Sequence, residues 1–383
     1  MPAPADCSIS WAKETTYGTF VTPTRSTEFL TENLQWEKQV NQGQGMRVGS
    51  LVDRANRRVV TAAAGAGDVD MLLASRGQGL LWEALMGNSV SNLVSGSTYQ
   101  QLHKVATAQG QLSVQKGVYN HGTGAIDPLS FTGVLVKSVE LDSPNGEDIK
   151  VKWTFDIKDL ATATAYAAVT GLYPSATSDE SFGFRHAALA VGGTLTAPTN
   201  TALASSSGAV SSCLKSFNLK LERDLSDSGP CYGQGGRKSK PATKRFMISG
   251  AFSALYDQTT LRDAFLADTA LPLLFTITGD LALSTGNTGY QFALPHIKLE
   301  GELPNANEGD EILVNHSFKG LHDTTTEPVF VVARTADQAF MPLTVGGGVP
   351  RRVASRPKAA IASGCVRKKA GSFHTFVSSS SRS

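Results

Sequence analysis

The chain has 383 residues, of which 41% are hydrophobic and 18% charged, enough apolar material for two ordinary globular domains and too much for an intrinsically disordered chain. No apolar run approaches the roughly 18 residues a membrane helix requires, and Met1–Asp6 lacks the basic-then-apolar pattern of a signal peptide, so folding in a cytoplasm is expected. The net charge of +2 hides an asymmetry: eight basic and no acidic residues follow position 350, which leaves −6 (+2 minus 8) for the first 350.

Taken in order, the chain reads as strands broken by turns and two helices. A strand is expected over Ser8–Trp11, then the turn-rich Thr15–Thr24, then a strand with Leu34, Trp36 and Val40 on one face. Asn41–Asn56 is a long connection with three glycines and two arginines, Arg47 and Arg54. Connections this long inside a compact domain are usually functional or disordered. A strand over Arg57–Leu73 and a helix over Ser75–Met86, stopped by Gly87, come next. Residues 88–111 are rich in Ser, Asn and Gln and read as an irregular excursion. Within Leu129–Leu160, Ile149, Val151, Trp153, Phe155 and Ile157 alternate with Lys150, Lys152, Thr154, Asp156 and Lys158, the period of a strand with one buried face. Beyond a segment of small residues, Arg185–Thr194 reads as a strand. Ser226–Thr243 is a second long basic loop with Arg237, Lys238 and Lys240, followed by a strand over Lys244–Tyr256 and a helix over Gln258–Ala267. After Phe330–Ala333 the periodicity is lost, and from Gly346 too little apolar surface remains to offset ordering, so a flexible basic tail is expected.

The second half repeats the first. Gly146-Glu-Asp-Ile-Lys-Val-Lys-Trp-Thr-Phe155 matches Gly309-Asp-Glu-Ile-Leu-Val-Asn-His-Ser-Phe318 in register, 163 positions later (309 minus 146). Four more matches occur in the same order: Asn33–Lys38 with Asn218–Arg223, Arg57-Arg58 with Lys244-Arg245, Leu80–Leu85 with Leu261–Leu266, and Leu112–Gly117 with Leu274–Gly279. Five matches in one order, with offsets that drift from 185 and 187 down to 162 and 163 only as loops change length, indicate a duplicated unit. The expected organisation is a first unit over 1–165, a linker over 166–184, a second unit over 185–345 and the tail over 346–383. Both units carry the long basic loop between their first two core strands. Because long loops on rigid scaffolds tend to bind, Arg47, Val48, Leu51, Asp53, Arg54, Arg57 and Arg58 in the first unit are candidate inter-subunit or inter-ring contacts. Arg237, Lys238, Lys240 and Lys244 are their counterparts in the second.

No arrangement points to catalysis. Gly43–Gly49 is G-x-G-x-x-x-G and does not open a helix; Ser113–Lys116 is S-x-x-K without partner motifs; His121–Gly124 has no G-x-S-x-G to serve. The seven histidines lack metal-ligand spacing, and His316, at the position of Trp153, reads as a core residue. Cys7, Cys213, Cys231 and Cys365 show no C-x-x-C and read as reduced, mostly buried thiols. No catalytic residue, metal or cofactor is expected. The basic loops lack interleaved aromatics, so specific nucleic-acid binding is not expected either.

Gly79–Gly87 after an alternating strand, then Leu112–Gly117, then Phe131–Leu141 resemble the tail tube, or major tail, proteins of long-tailed, non-contractile (siphovirus-type) bacteriophages. Met46–Arg54 and Arg57–Val60 fit the same pattern, and the repeat extends the resemblance to about residue 325. The resemblance implies a mainly β fold with short flanking helices: a duplicated tail-tube-type β-sandwich whose strands join across subunits into a ring barrel. Rings of this kind stack into a tube in the virion tail, assembled in the host bacterial cytoplasm, through which DNA passes without specific binding. A fused pair implies three chains per ring with pseudo-sixfold symmetry, a single copy per subunit a hexamer. Six units of about four strands give roughly two dozen strands, enough for an aqueous channel. Implied partners are further copies of the chain, a tape measure protein, a tail terminator and distal tail or baseplate proteins, with no membrane. Two other classes stay open: a terminator or baseplate hub of the same fold that caps the tube, and a carbohydrate-binding β-sandwich adhesin.

Overall fold

In the computed structural model of the chain the described residues are 6–340, except 46, 50, 176, 211–212, 227–228, 302, 305–310 and 339. The expected tail over 346–383 and most of the turn before Gly309 lie outside them. The first half contains β1 (Ser8–Lys13), β2 (Arg25–Thr27), β3 (Thr31–Glu32), β4 (Gln35–Gln42), β5 (Arg58–Leu72), α1 (Gly79–Met86), β6 (Gly87–Ser95), β7 (Thr98–Val105), β8 (Leu112–Asn120), β9 (Ala125–Ser143), β10 (Lys150–Ile157) and β11 (Asp159–Ala161). The second contains β12 (Ala187–Val191), β13 (Thr194–Thr196), β14 (Ser205–Ser207), β15 (Leu214–Leu225), β16 (Thr243–Leu255), α2 (Thr260–Leu266), β17 (Leu271–Ala282), β18 (Asn287–Gly301), β19 (Leu313–Gly320) and β20 (Phe330–Thr335).

Pairing is antiparallel throughout these strands. In the first half the neighbours run β4–β5–β10–β9–β8–β1. In the second they run β15–β16–β19–β18–β17–β12. Each set carries its helix directly after its second strand. The two sets are joined edge to edge where β15 pairs with β9, from Phe217 opposite Ser143 to Glu222 opposite Ser138.

Register details repeat as well. Gly67 lies opposite Phe155, and Gly250 lies opposite Phe318. A Cβ on Gly67 would sit 2.0 Å from the Asn33 carbonyl oxygen, and one on Gly250 would sit 2.4 Å from that of Asn218. Glycine is required at both because the neighbouring strand passes too close for any side chain.

The alternation along β10 places Val151, Trp153, Phe155 and Ile157 in the core and its lysines in solvent. Trp82 of α1 binds the halves together. Its indole packs edge-on against Trp153 at 4.8 Å and against Phe292 of β18 at 5.5 Å, so one apolar core runs through both. Opposite that core, the solvent face of the strands interleaves carboxylates and lysines, including the pairs Lys152–Asp68, Lys220–Glu140 and Lys319–Glu300.

Several expectations need correction. Residues 88–111 are not irregular: β6 and β7 form a hairpin, and β7 pairs with β20 from the far end of the chain. Its polar side chains are spent on burial, as where Gln100 Nε2 donates to the Thr199 carbonyl at 2.6 Å and Ser89 Oγ meets His103 Nδ1 at 2.7 Å. The first helix begins at Gly79, not Ser75. Gly77 has φ +86°, which no helix tolerates, and Arg76 is drawn away to Asp337. Its C-terminus falls where expected, with Gly87 left-handed at the cap. Of the free cysteines, Cys213 and Cys231 are exposed and Cys7 is half-buried, because each sits outside the alternating strand faces that define the core. His316 is buried as expected, 5.4 Å from the Phe252 ring centroid, and burial lowers its pKa.

Candidate assembly surfaces

The two long basic loops end in different surroundings. The second, between β15 and β16, lies against the first half of its own chain. Arg237 Nε pairs with Asp159 Oδ2 at 2.6 Å, Lys238 pairs with Asp156, and Lys240 Nζ donates to Gln111 Oε1 at 2.6 Å. The Ala63 amide of β5 donates to the Gly236 carbonyl at 3.0 Å. Lys244, at the base of the loop, lies 3.8 Å from Asp224.

The first loop, between β4 and β5, projects. Arg47, Val48, Leu51, Asp53, Arg57 and Arg58 are exposed and Arg54 is half-buried. Leu51 and Val48 are as open as in a free peptide, at 104% and 102%. Local bonds shape the loop without covering it: Arg57 Nη1 donates to the Gln44 carbonyl at 3.2 Å, and Gln42 Nε2 to that of Arg54 at 3.0 Å. Val40, Val59 and Val60 extend the bare apolar surface down the hairpin. The structure thus divides the predicted set into a basic group engaged within the chain and a mixed basic and apolar group in the open.

Strand edges show the same division. β15 is covered by β9 on one side and β16 on the other, and Leu219, Leu221 and Arg223 are buried. Among the described residues β4 pairs with β5 on one side only, and Glu37, Lys38 and Gln39 are exposed. At the opposite end of the molecule, β18 from Lys298 to Gly301 pairs with β19 alone among the described residues. Soluble proteins rarely leave such edges unguarded unless something pairs with them.

Arg223 sits at the junction of the two halves, and no sequence motif marks it. It is fully buried, and its guanidinium donates to three carbonyls, Leu85 at 3.0 Å, Ala106 at 2.9 Å and Met86 at 3.1 Å. Leu85 and Met86 end α1, so a cation from the second half caps the negative end of the first helix. Burial pushes the Arg223 pKa down to about 10. The signal was present in the sequence, in the match of Asn33–Lys38 to Asn218–Arg223, which aligns Lys38 with Arg223.

A family model for phage tail tube proteins matches residues 4–320, spanning both strand sets and both loops. The chain belongs to the phage tail tube protein family. It is a bacteriophage structural protein of the virion tail, and membership implies self-association into a tube and contact with other tail proteins. No curated protein matches the chain. Among the described residues of this tail tube protein, no cluster of His, Cys, Asp or Glu is arranged to hold a metal ion, and no helix is long and apolar enough to cross a membrane.

Proposed function

We propose that this tail tube protein polymerises as stacked rings that enclose the channel for DNA ejection, and that it carries two copies of the tail-tube unit in one chain. The observation that carries the reading is the pair of strand sets with one connectivity, joined edge to edge by β9 and β15 and left open at β4 and β18. The in-chain junction supplies the pattern for a junction between chains. Residues 1–165 and 185–345 are then the two units, 166–184 the linker, and three chains close a ring of pseudo-sixfold symmetry. Closure removes both open edges at once.

In this arrangement the charged face, with its interleaved carboxylates and lysines, lines a wet lumen through which DNA passes without specific binding. The projecting loop, with Arg47, Val48, Leu51, Asp53, Arg54, Arg57 and Arg58, reaches the adjacent ring, a head-to-tail contact that propagates as a filament. Arg237, Lys238 and Lys240 brace the junction from within, and Lys244 fixes the base of the same loop against Asp224. Tape measure, terminator and distal tail proteins, of a siphovirus-type tail, meet this tube at its lumen and ends.

Electron microscopy of the purified protein at high concentration, with rotational averaging of end-on views, tests the proposal. Tubes or stacked rings of three chains are expected. Six chains per ring overturn the duplicated unit, isolated rings that never stack indicate a capping component, and persistent monomers overturn the assembly itself.

A further inference from the structure

The geometry points to Lys38 as an intermolecular helix cap: β4 of one copy of this chain adds to the free edge of β18 in a second copy, and its Lys38 binds the C-terminal carbonyls of that copy's α2. This inference rests on the self-assembly proposed above and specifies its register.

The template lies within the chain. Against their outer partners, β4 and β15 keep one register: Trp36 faces Gly65 and Lys38 faces Ala63, while Leu221 faces Ile248 and Arg223 faces Phe246. A register shift follows at corresponding places, between Gln39 and Val40 and between Arg223 and Leu225. Lys38 therefore occupies the position of Arg223, on the helix side of the sheet. On the receiving side, Trp153 lies opposite Val139 and His316 opposite Gly301, which aligns Gly301 with Val139. Within the chain Leu221 sits opposite Val139. Transferred to a second copy, Trp36 sits opposite Gly301, and Glu37 opposite Glu300 as Glu222 is opposite Ser138.

The coverage of the two helices argues for the same occupant. Met86, the last residue of α1, is fully buried beneath the junction, whereas Leu266, the last residue of α2, is 62% exposed. Among the described residues no strand covers β18 from Lys298 to Gly301 as β15 covers β9, and β4, a strand of matching register, has an uncovered edge at the other end of the same molecule. Asp268, just beyond α2, is held by Lys298 of β18, which ties the helix end to the strand that would receive β4. At Gly301 the missing side chain leaves room for an indole where the in-chain junction accommodates leucine against valine.

The test uses the full chain with Cys7, Cys213, Cys231 and Cys365 replaced by serine, carrying either Glu37→Cys with Glu300→Cys or, as a slipped control, Glu37→Cys with Lys298→Cys. Oxidation should link the first pair between chains, giving a ladder of multimers on a denaturing gel, and leave the control at least tenfold less linked. In parallel, K38E should raise the concentration for half-assembly at least tenfold and K38R less than threefold, with the melting temperature of the unassembled protein unchanged in both. Rings that form without the Glu37–Glu300 link, or with the control link dominant, overturn the register and leave the self-assembly reading standing. Rings that K38E does not weaken overturn the cap. An unmodified chain that stays monomeric at every concentration overturns both readings.

Discussion

Asp337 offers the sharpest test of what holds this structure together. Its carboxylate is buried and receives Arg76 Nε at 2.8 Å, Arg25 Nη2 at 3.3 Å and the Gly77 amide at 2.9 Å. Both arginines are themselves buried, so one carboxylate compensates two cations drawn from the start of the chain and from the turn before α1. Replacing Asp337 with alanine strands both guanidinium groups, and breaking a buried pair in this way costs about 3–5 kcal/mol. A domain is stable by roughly 5–15 kcal/mol, so the loss takes a large fraction of the total. With a urea dependence of about 3 kcal/mol per molar, the unfolding midpoint should fall by roughly 1–1.7 M. Tryptophan fluorescence of the dilute, unassembled protein follows the transition, since Trp11, Trp82 and Trp153 are all buried. Glu147→Ala, which removes an exposed partner of Lys150 at 3.4 Å, serves as the control and should shift the midpoint by less than about 0.3 M. Equal shifts in the two variants would refute the assignment of stability to the buried knot.

Gly250→Ala forces a methyl group into the Asn218 carbonyl and should destabilise the protein by more than about 2 kcal/mol, whereas Gly229→Ala, with open space around it, should stay within about 0.5 kcal/mol in the same urea titration. His103 is buried, and burial holds its pKa down at about 3 against an ordinary 6.5. Its neutral form is what the fold accommodates, so this contribution to stability is fully present above about pH 6.5 and is lost toward pH 3, by up to about 1.4 kcal/mol per unit. Between pH 7.5 and 5 the wild type should therefore lose more unfolding free energy than His103→Gln, and identical losses would refute this. The double variant Arg47→Glu with Arg54→Glu should leave subunits folded by circular dichroism and abolish stacking in electron micrographs; normal tubes would show the projecting loop to be a solvated hairpin.

The strand faces were legible in the sequence because burial imposes a period of two, and Val151, Trp153, Phe155 and Ile157 obey it without interruption. Matching of Asn33–Lys38 to Asn218–Arg223 was legible for a related reason: an adjacent glycine, Gly67 or Gly250, must admit the strand that carries it. The hairpin over β6 and β7 was not. Its buried side chains include Gln100, Gln101 and His103, and polar residues signal burial only when their partners are known, here Thr199, Asp337 and Ser89. The loops were found by length and charge, but not which one is engaged, because Asp156 and Asp159 look like any other solvent-facing carboxylates until the fold brings Lys238 and Arg237 to them.

β9 runs 19 residues from Ala125 to Ser143, roughly 60 Å of continuous backbone. Its first part is held by β8 and β11, its second by β10 and β15. Where it is clamped on both flanks, at Ser130–Thr132 and from Ser138 to Asp142, the strand has no cheap local opening. Amide exchange at Val139 and Leu141 must wait for the seam between the halves to part. Pulling on the hairpin at Asn120 loads that seam in shear, in which many hydrogen bonds share the force. Mechanically, β9 is a beam that the first half grips along its length and on whose far end the second half is mounted.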